Sequence, residues 1–415
     1  MIRWITENLG TASYYQFNQL LAPEIVLIDV RELTDKEGNA NGALKAKIDL
    51  SLDALRAAKK VVVCCDMGIS RSNAVAVGVL MALGQTYDEA THVLAQKADV
   101  SEINLPLLHQ VRSLFQENNR DTAKAANLFI TGAGGYVGQA LRNRLGSESN
   151  IFCHRREELD LSHDTTLLDS YVNKRGIDTV IHLAHPHRRN NISALAETVA
   201  MTKTILEVCR VNSLSIVYLS SLAIYSGYGR DEILKANSQL QPWPRGAYGE
   251  TKLFCEELIG LYQRNYGLKA IVLRPSSIYG PNMPRWTFFS KFFEAAMQGS
   301  TIRTHRYRNG LPVFDFLYIS DLLDAFQLAL RMKPEAPLHL GTGQATSTYE
   351  LAKAISTISA RGSMVETVDI DDRASKVVVD PSEARARLGW EAKVALERGL
   401  KELWHHHTDD EANKS

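Results

Sequence analysis

The sequence carries no surplus of charge: 47 Lys plus Arg stand against 47 Asp plus Glu in 415 residues. A balanced chain has no global field that draws it to nucleic acid or to an anionic membrane surface, so a small-molecule partner is expected instead. Long apolar runs are missing too. Nothing approaches the ~18 uncharged apolar residues that span a bilayer, and the opening Met-Ile-Arg-Trp-Ile-Thr-Glu-Asn has neither the basic region nor the apolar core of a leader, so a cytoplasmic, soluble protein is expected. Cysteine is scarce. Cys64, Cys65, Cys153, Cys209 and Cys255 are odd in number and irregular in spacing, which excludes a disulfide framework and a zinc pattern and fits reduced thiols. His405, His406 and His407 lie in a polar tail and read as solvated surface, so no metal is expected. Internal repeats and low-complexity tracts are absent, and at about 150 residues per domain the length implies two or three units.

What is present divides at a polar stretch. Residues 1–116 read as strand (25–30), helix (52–58), strand (61–65) and helix (72–83), a small α/β unit; 117–126 is the expected linker; 127–415 forms a second unit. In that second unit strands are predicted near 128–131, 151–154, 178–183, 215–220, 270–274 and 338–340 with helices between them. Such alternation implies a doubly wound parallel sheet covered on both faces. Pro242, Trp243, Pro244, Pro281 and Pro284 mark loops, and helical patterns at 286–298 and 320–332 predict a small C-terminal substrate lobe near the sheet's carboxyl edge.

The second unit opens on Leu-Phe-Ile-Thr-Gly-Ala-Gly-Gly-Tyr-Val-Gly, residues 128–138, an apolar strand running straight into glycines. Gly132 suits a sharp turn, Gly135 a close backbone approach to a pyrophosphate, and Gly138 close packing of the next helix, whose first residues Tyr136 and Val137 would then face phosphates. Taken alone, such a pattern fits an empty glycine-rich loop as well as a dinucleotide turn. After the second strand no acid stands where the adenosine ribose would be held. Arg155 or Arg156 can instead pair with a 2′-phosphate, which favours NADP over NAD, or the two are simply a solvated pair. Asp160, followed by Leu161, is placed to accept from the adenine amino group, and residues 178–184 form a buried strand ending beside the cofactor.

In Tyr218-Leu-Ser-Ser-Leu-Ala-Ile-Tyr225 and Ala247-Tyr-Gly-Glu-Thr-Lys252, Tyr248 and Lys252 sit one helical turn apart on one face. An ammonium beside a phenol favours the phenolate, so Tyr248 is suited to move a proton at a carbinol or carbonyl oxygen that Ser221 also holds. With the glycine turn, these residues resemble the extended short-chain dehydrogenase/reductase family of sugar-nucleotide epimerases, dehydratases and reductases. Residues 273–281 (Leu-Arg-Pro-Ser-Ser-Ile-Tyr-Gly-Pro), 314–321, 340–343 and 388–390 match its later landmarks. The resemblance implies a Rossmann core with catalytic Ser221, Tyr248 and Lys252, pyrophosphate-binding Gly132, Gly135 and Gly138, Pro275 near the nicotinamide, and a sugar or sugar-nucleotide substrate, and it is compatible with a homodimer. The chain departs from the family pattern at Thr198, where Asn is frequent, and at Phe314, where nucleotide-diphosphate binders often carry Arg. Leu222 and Ala223 follow Ser221 where 4,6-dehydratases tend to carry Asp-Glu, which leaves epimerisation or reduction.

The first unit has its own motif, Val61-Val-Val-Cys-Cys-Asp-Met-Gly-Ile-Ser-Arg-Ser72. A strand delivers Cys65 into a loop of Asp66, Met67, Gly68, Ile69 and Ser70, and Arg71 and Ser72 then open a helix. Inward amides, the helix N-terminus and the Arg71 fork together suit a phosphate, and the same field favours a thiolate at Cys65. A tight turn that merely feeds a helix is the plainer alternative. The loop resembles the signature of protein tyrosine and dual-specificity phosphatases, which implies a phosphocysteine intermediate, a phosphorylated substrate and a general-acid Asp roughly thirty residues upstream. Here Cys64 replaces the usual preceding His, and Asp29, Asp49 and Asp53 are the acids on offer. The whole reads as an NADP-dependent, or NAD-dependent, sugar-nucleotide epimerase or reductase fused to a phosphatase-like unit. The competing arrangement is a phosphatase or phosphate sensor beside a catalytically silent cofactor-binding half.

Overall fold

The computed structural model describes residues 2–16, 23–35, 39, 41–98, 103–115, 126–186, 192–225, 234–235, 246–331 and 337–412. The 117–126 linker, apart from Ala126, and the 242–244 loop lie outside these residues. Along the chain run β1 (Arg3–Trp4), β2 (Leu9–Ser13), β3 (Ile25–Asp29), α1 (Asn41–Arg56), β4 (Lys60–Cys65), α2 (Arg71–Ala82), α3 (Tyr87–Ala95) and α4 (Leu105–Ser113). There follow β5 (Asn127–Thr131), α5 (Tyr136–Leu145), β6 (Asn150–Phe152), α6 (Thr165–Lys174), β7 (Thr179–His182), α7 (Ile192–Val211), β8 (Ser215–Leu219), β9 (Leu234–Lys235), α8 (Gly246–Tyr266), β10 (Ala270–Pro275) and β11 (Ser277–Tyr279). The chain continues through α9 (Phe288–Met297), β12 (Ile302–Tyr307), β13 (Val313–Phe314), β14 (Phe316–Tyr318), α10 (Ile319–Ala329), β15 (Leu338–Leu340), β16 (Thr346–Ser347), α11 (Thr348–Ser359), β17 (Val365–Ile370), β18 (Val377–Val378), α12 (Ser382–Leu388) and α13 (Leu396–Ala412). Two compact units result, one of Met1–Lys124, Arg156–Gly176 and Thr204–Ser213, the other of Ala125–Arg155, Ile177–Lys203 and Leu214–Ser415.

The first unit is built on a four-stranded sheet ordered β1-β2-β4-β3, with β1 antiparallel to β2 and the remaining pairs parallel. β4 lies between two neighbours and is buried from Val61 to Cys65, which is why it reads as an unbroken apolar run rather than an alternating one. α1 begins eleven residues ahead of the predicted helix at 52. Leu44, Ile48 and Leu52, four residues apart and all buried, form its inner stripe, and the charged residues between them mask the pattern. Thr86 caps α3 in a reciprocal capping box with Glu89. In this same unit Tyr87 of α3 donates to buried Asp169 of α6 at 3.0 Å, and Asn212 Nδ2 donates to the other carboxylate oxygen at 2.6 Å. Burial pushes the Asp169 carboxyl upward, and those two donors work against the rise.

The second unit carries a six-stranded parallel sheet ordered β15-β10-β8-β7-β5-β6. β5 has β6 on one side and β7 on the other, so the order of strands reverses there, and in open parallel sheets a crevice opens beyond the strand ends at such a reversal. Leu128, Ile130, Ile181, Val217 and Leu273 from the strands pack with Leu141 of α5 and Phe326 of α10 in one core. A second apolar cluster, with Phe289, Phe293, Phe316, Leu351, Leu400 and Trp404 at its centre, holds the C-terminal lobe together. Among the described residues no helix is long and apolar enough to cross a membrane, and no group of three His, Cys, Asp or Glu is placed to hold a metal ion. All five cysteines are free thiols.

Candidate active site

β5 ends at Thr131 and the chain turns at Gly132 with φ +69°; a Cβ there would lie 2.8 Å from the Ala184 nitrogen at the end of the β7 segment. Only glycine accommodates both the left-handed φ and that approach. A Cβ at Gly138 would strike the Gly132 carbonyl, so α5 is drawn close under the turn. α5 starts at Tyr136 behind Gly135 with no side-chain cap, and an uncapped first turn of amides suits an anion. At the far end of β10, Ser276 Oγ is buried and has no hydrogen-bond partner among the described residues, directly after Pro275. Cradle, uncapped helix and orphaned hydroxyl fit a pyrophosphate-bearing cofactor with a polar head group.

The strand ends beneath the turn are locked by a histidine. Thr131 Oγ1 accepts the amides of Leu183 and Ala184, each at 3.2 Å, so its hydrogen goes to His182 Nδ1 at 2.8 Å. The proton of His182 therefore sits on Nε2 and is donated to Thr202 Oγ1 at 3.2 Å. Thr198 bonds back to Ala194 of its own helix at 2.7 Å, so Thr202, one turn on, is the α7 residue that reaches the strand. Burial, with Lys252 and His185 nearby, lowers the pKa of His182 to about 3. Because this folded pKa is depressed below the ordinary 6.5, the unfolded chain binds the proton first. Stability is then full above pH 6.5 and falls as pH drops toward 3, by about 1.4 kcal/mol per pH unit. In urea melts the stability gap between wild type and His182→Gln should shrink at that rate between pH 6.5 and 4; a gap independent of pH would contradict the assignment.

α8 places Tyr248, Lys252 and Glu256 on one face at intervals of one turn. Lys252 is buried, and its Nζ donates to Leu219 O, the last residue of β8, at 2.7 Å. The same ammonium stands 4.7 Å from the Tyr218 ring centre and 5.9 Å from that of Tyr248. Ser221, two residues beyond Leu219, accepts the Ala223 amide at 3.1 Å, which leaves its O–H to donate. The predicted trio is thus gathered around the end of β8. Sequence reasoning missed His185, whose ring meets the Tyr248 ring edge-on at 5.1 Å between centres. Its only signal was a place just past a buried strand.

Arg155 is exposed and follows β6, the strand beside β5. Asp160 belongs to the first unit, where its carboxylate accepts the Ser162 amide at 2.9 Å and lies 3.6 Å from Arg156. Ser162 chiefly holds that carboxyl below its usual range. Leu161, in the same unit, is buried.

The cysteine loop also lies in the first unit. The Gly68 amide donates to Cys65 Sγ at 3.2 Å, and Ser72 Oγ is 3.4 Å away. Burial raises the Cys65 thiol, but the Ser72 hydroxyl and the amides of Ser72, Ile69 and Gly68 outweigh it, and the net shift is downward. Its neighbour Cys64 has no such donors, and burial pushes it up to about 12. Arg71 donates from Nη1 to the carbonyls of Arg31 and Leu33 at 2.9 and 3.1 Å, and from Nη2 to the Asp66 carboxylate. Of the upstream acids, Asp29 is held below its usual range by Arg31, while Asp49 and Asp53 pair with Lys45 and Arg56 on α1. Among the described residues upstream, Asp35 meets the loop, accepting from Ser70 Oγ at 2.5 Å.

A model of the NAD dependent epimerase/dehydratase family matches residues 128–341, just over half the chain. A trifunctional UDP-glucose 4,6-dehydratase/UDP-4-keto-6-deoxy-D-glucose 3,5-epimerase/UDP-4-keto-L-rhamnose-reductase of Arabidopsis thaliana is 24% identical, with 68% of this chain and 47% of that protein covered. The chain spans about half the length of the first curated relatives it matches. Among solved structures, the UDP-glucose 4-epimerase of Thermotoga maritima with UDP-glucose superposes with TM-score 0.59 at 21% identity, covering 68% of this chain and 99% of that one. The GDP-mannoheptose C4 reductase of Campylobacter jejuni with NADP bound gives 0.57 at 16% identity, with 68% and 98% covered.

Proposed function

The chain belongs to the NAD dependent epimerase/dehydratase family, and from that membership we propose that its second unit epimerises or reduces a sugar nucleotide at one carbinol carbon. The observation that carries this reading is the gathering of Tyr248, Lys252 and Ser221 around the end of β8, with Lys252 Nζ fixed on Leu219 O. Tyr248 Oη moves the proton of the reacting oxygen, Ser221 Oγ donates to the same oxygen, and buried Lys252 supplies the positive charge beside the phenol. A bound nicotinamide supplies the hydride acceptor or donor. Gly132, Gly135, Tyr136, Val137 and Gly138 would hold its pyrophosphate, and Pro275 and Ser276 its head group. Similarity to enzymes solved with UDP-glucose or named for GDP-sugars supports a nucleoside-diphosphate sugar as substrate. Leu222 and Ala223 after Ser221 bring no carboxyl for eliminating water, which favours epimerisation or reduction. The test is to incubate the protein with UDP- and GDP-hexoses and either cofactor and to resolve epimers and reduced products. No conversion across that panel would overturn the reading.

Arg155, past the end of β6, can pair with a 2′-phosphate, which favours NADP over NAD as the cofactor. Losing one charge-assisted phosphate contact costs roughly 1.5–3 kcal/mol, so Arg155→Ala should weaken NADP by that amount in a fluorescence titration and leave NAD nearly unchanged. Tighter binding of NAD by the wild type would reverse the assignment.

For the first unit, the downward-shifted Cys65 with its Gly68 and Ser72 contacts favours a second activity, cleavage of a phosphate monoester. Cys65 Sγ attacks phosphorus, the P–O ester bond breaks, and Asp35 gives the leaving oxygen its proton; water then cleaves the S–P bond and restores the thiolate.

A further inference from the structure

We propose that Ser220, Glu256 and Arg274, with Tyr225, are positioning residues that hold Ser221 in register with Tyr248 and Lys252. The inference rests on the hydride-transfer reading of the second unit. Glu256 continues the face of α8 that carries Tyr248 and Lys252, one turn further on. Lys252 is bonded to Leu219 O, and Glu256 accepts from Ser220 Oγ, so two consecutive residues before Ser221 are tied to two consecutive turns of α8.

Arg274 extends the tie to the other side of Ser221. It stands on β10, which pairs with β8 at Leu219 and Leu273, and its Nε reaches both Glu256 oxygens at 3.1 and 3.0 Å. Its Nη1 donates to Tyr225 Oη at 3.0 Å, and Tyr225 closes the 3-10 turn Leu222–Tyr225 that follows Ser221. Ser221 is therefore bracketed by Ser220 and Tyr225, both fastened to one buried ion pair whose side chains are 12% and 4% exposed. His339 Nε2 accepts from Arg274 Nη1 at 3.3 Å and lies 3.1 Å from Tyr225 Oη, which fills the remaining position.

Such a pair is a poor way to gain stability. Desolvating two charges offsets most of their attraction, and well-packed apolar residues of similar volume serve as well or better. What the pair adds is direction: fixed forks and lone pairs set the spacing between a strand end and a helix face. Misplacing a catalytic group by about 1 Å costs up to about a hundredfold in rate, so the network's effect should appear in kcat rather than in substrate binding.

The test uses the full chain with cofactor bound and compares wild type, Ser220→Ala, Ser220→Thr and Glu256→Gln by two readouts. The first is steady-state hydride transfer. The second is hydrogen exchange of the peptide spanning 219–225, which needs no turnover. Ser220→Ala removes one tether and leaves the ion pair, so it stays informative should Glu256→Gln fail to fold. Expected for Ser220→Ala are a kcat lower by about tenfold or more, KM and cofactor Kd within about twofold of wild type, and faster exchange confined to 219–225, with Ser220→Thr restoring both. Unchanged exchange in Ser220→Ala, or a kcat loss accompanied by equal losses in KM and cofactor affinity, overturns the proposal. A wild type that transfers no hydride defeats the functional reading instead, and the exchange data still decide the positioning one.

Discussion

Tyr248→Phe loses hydride transfer, with kcat falling by about 10²- to 10⁴-fold, while the cofactor binds as before. The substitution removes one oxygen and keeps the ring, so the edge-on packing against His185 survives. Without Oη nothing at that position takes or returns the proton of the reacting oxygen, and Ser221 Oγ alone supplies one hydrogen bond rather than an acid or base. Lys252→Met should lose as much activity and, by leaving Leu219 O without its donor, loosen the end of β8 and weaken the cofactor as well. Stopped-flow absorbance of the nicotinamide reads the first effect and equilibrium titration the second. A Tyr248→Phe protein turning over at the wild-type rate would remove Tyr248 from the reaction.

The second large effect concerns the other unit. Cys65→Ser should abolish release of an aryl alcohol from a phosphate monoester, because a serine hydroxyl in the same cradle is not ionised and does not attack phosphorus. Wild-type Cys65 should alkylate at a pH below that of an ordinary thiol, in keeping with its amide and Ser72 contacts, and vanadate should protect it. Asp35→Asn should slow esters with poor leaving groups and spare those with good ones, as expected of a residue that supplies the departing proton. Arg71 already pairs with Asp66. A bound oxyanion must take Asp66's place, so Asp66→Asn should lower the protecting vanadate concentration by about two- to fivefold, the range of a partly exposed ion pair. Protection without turnover leaves a phosphate sensor. A thiol indifferent to vanadate leaves the loop as a turn feeding α2.

How far the sequence displays this molecule depends on the distance between the residues involved. The glycine turn and the Tyr248–Lys252 pair are local, set by spacing of three or four residues, and they stand out in the amino-acid order alone. β10 was legible for a related reason, since a buried parallel strand such as Ala-Ile-Val-Leu, residues 270–273, is a continuous apolar run. β1 and β2 were not. Arg3–Trp4 is too short to show a pattern, Leu-Gly-Thr-Ala-Ser is weakened by its Gly and Ala, and β2 takes its place in the sheet through partners in β4 some fifty residues away. The helix at 41–56 hid for a different reason, its buried stripe being interrupted by Lys45 and Asp49 on the exposed side and by Lys47. Side-chain networks were invisible altogether. Thr131 finds His182, Ser220 finds Glu256, and Tyr225 finds Arg274 and His339 only once the sheet has formed. Asp35 escaped notice in the same way, because nothing in the sequence around it announces that Ser70 will donate to it.

The central claim, that the second unit moves hydride between a sugar carbon and a nicotinamide with Tyr248 carrying the proton, is tested most directly by following a label. A sugar nucleotide bearing deuterium on its reacting carbinol carbon is mixed with the cofactor-loaded protein, and product and cofactor are analysed by mass spectrometry. A primary isotope effect is expected, with deuterium recovered wholly on the product or the cofactor, and the transfer of label slowed by about 10²- to 10⁴-fold in Tyr248→Phe. Deuterium released to water, or conversion unaffected by Tyr248→Phe, would contradict it.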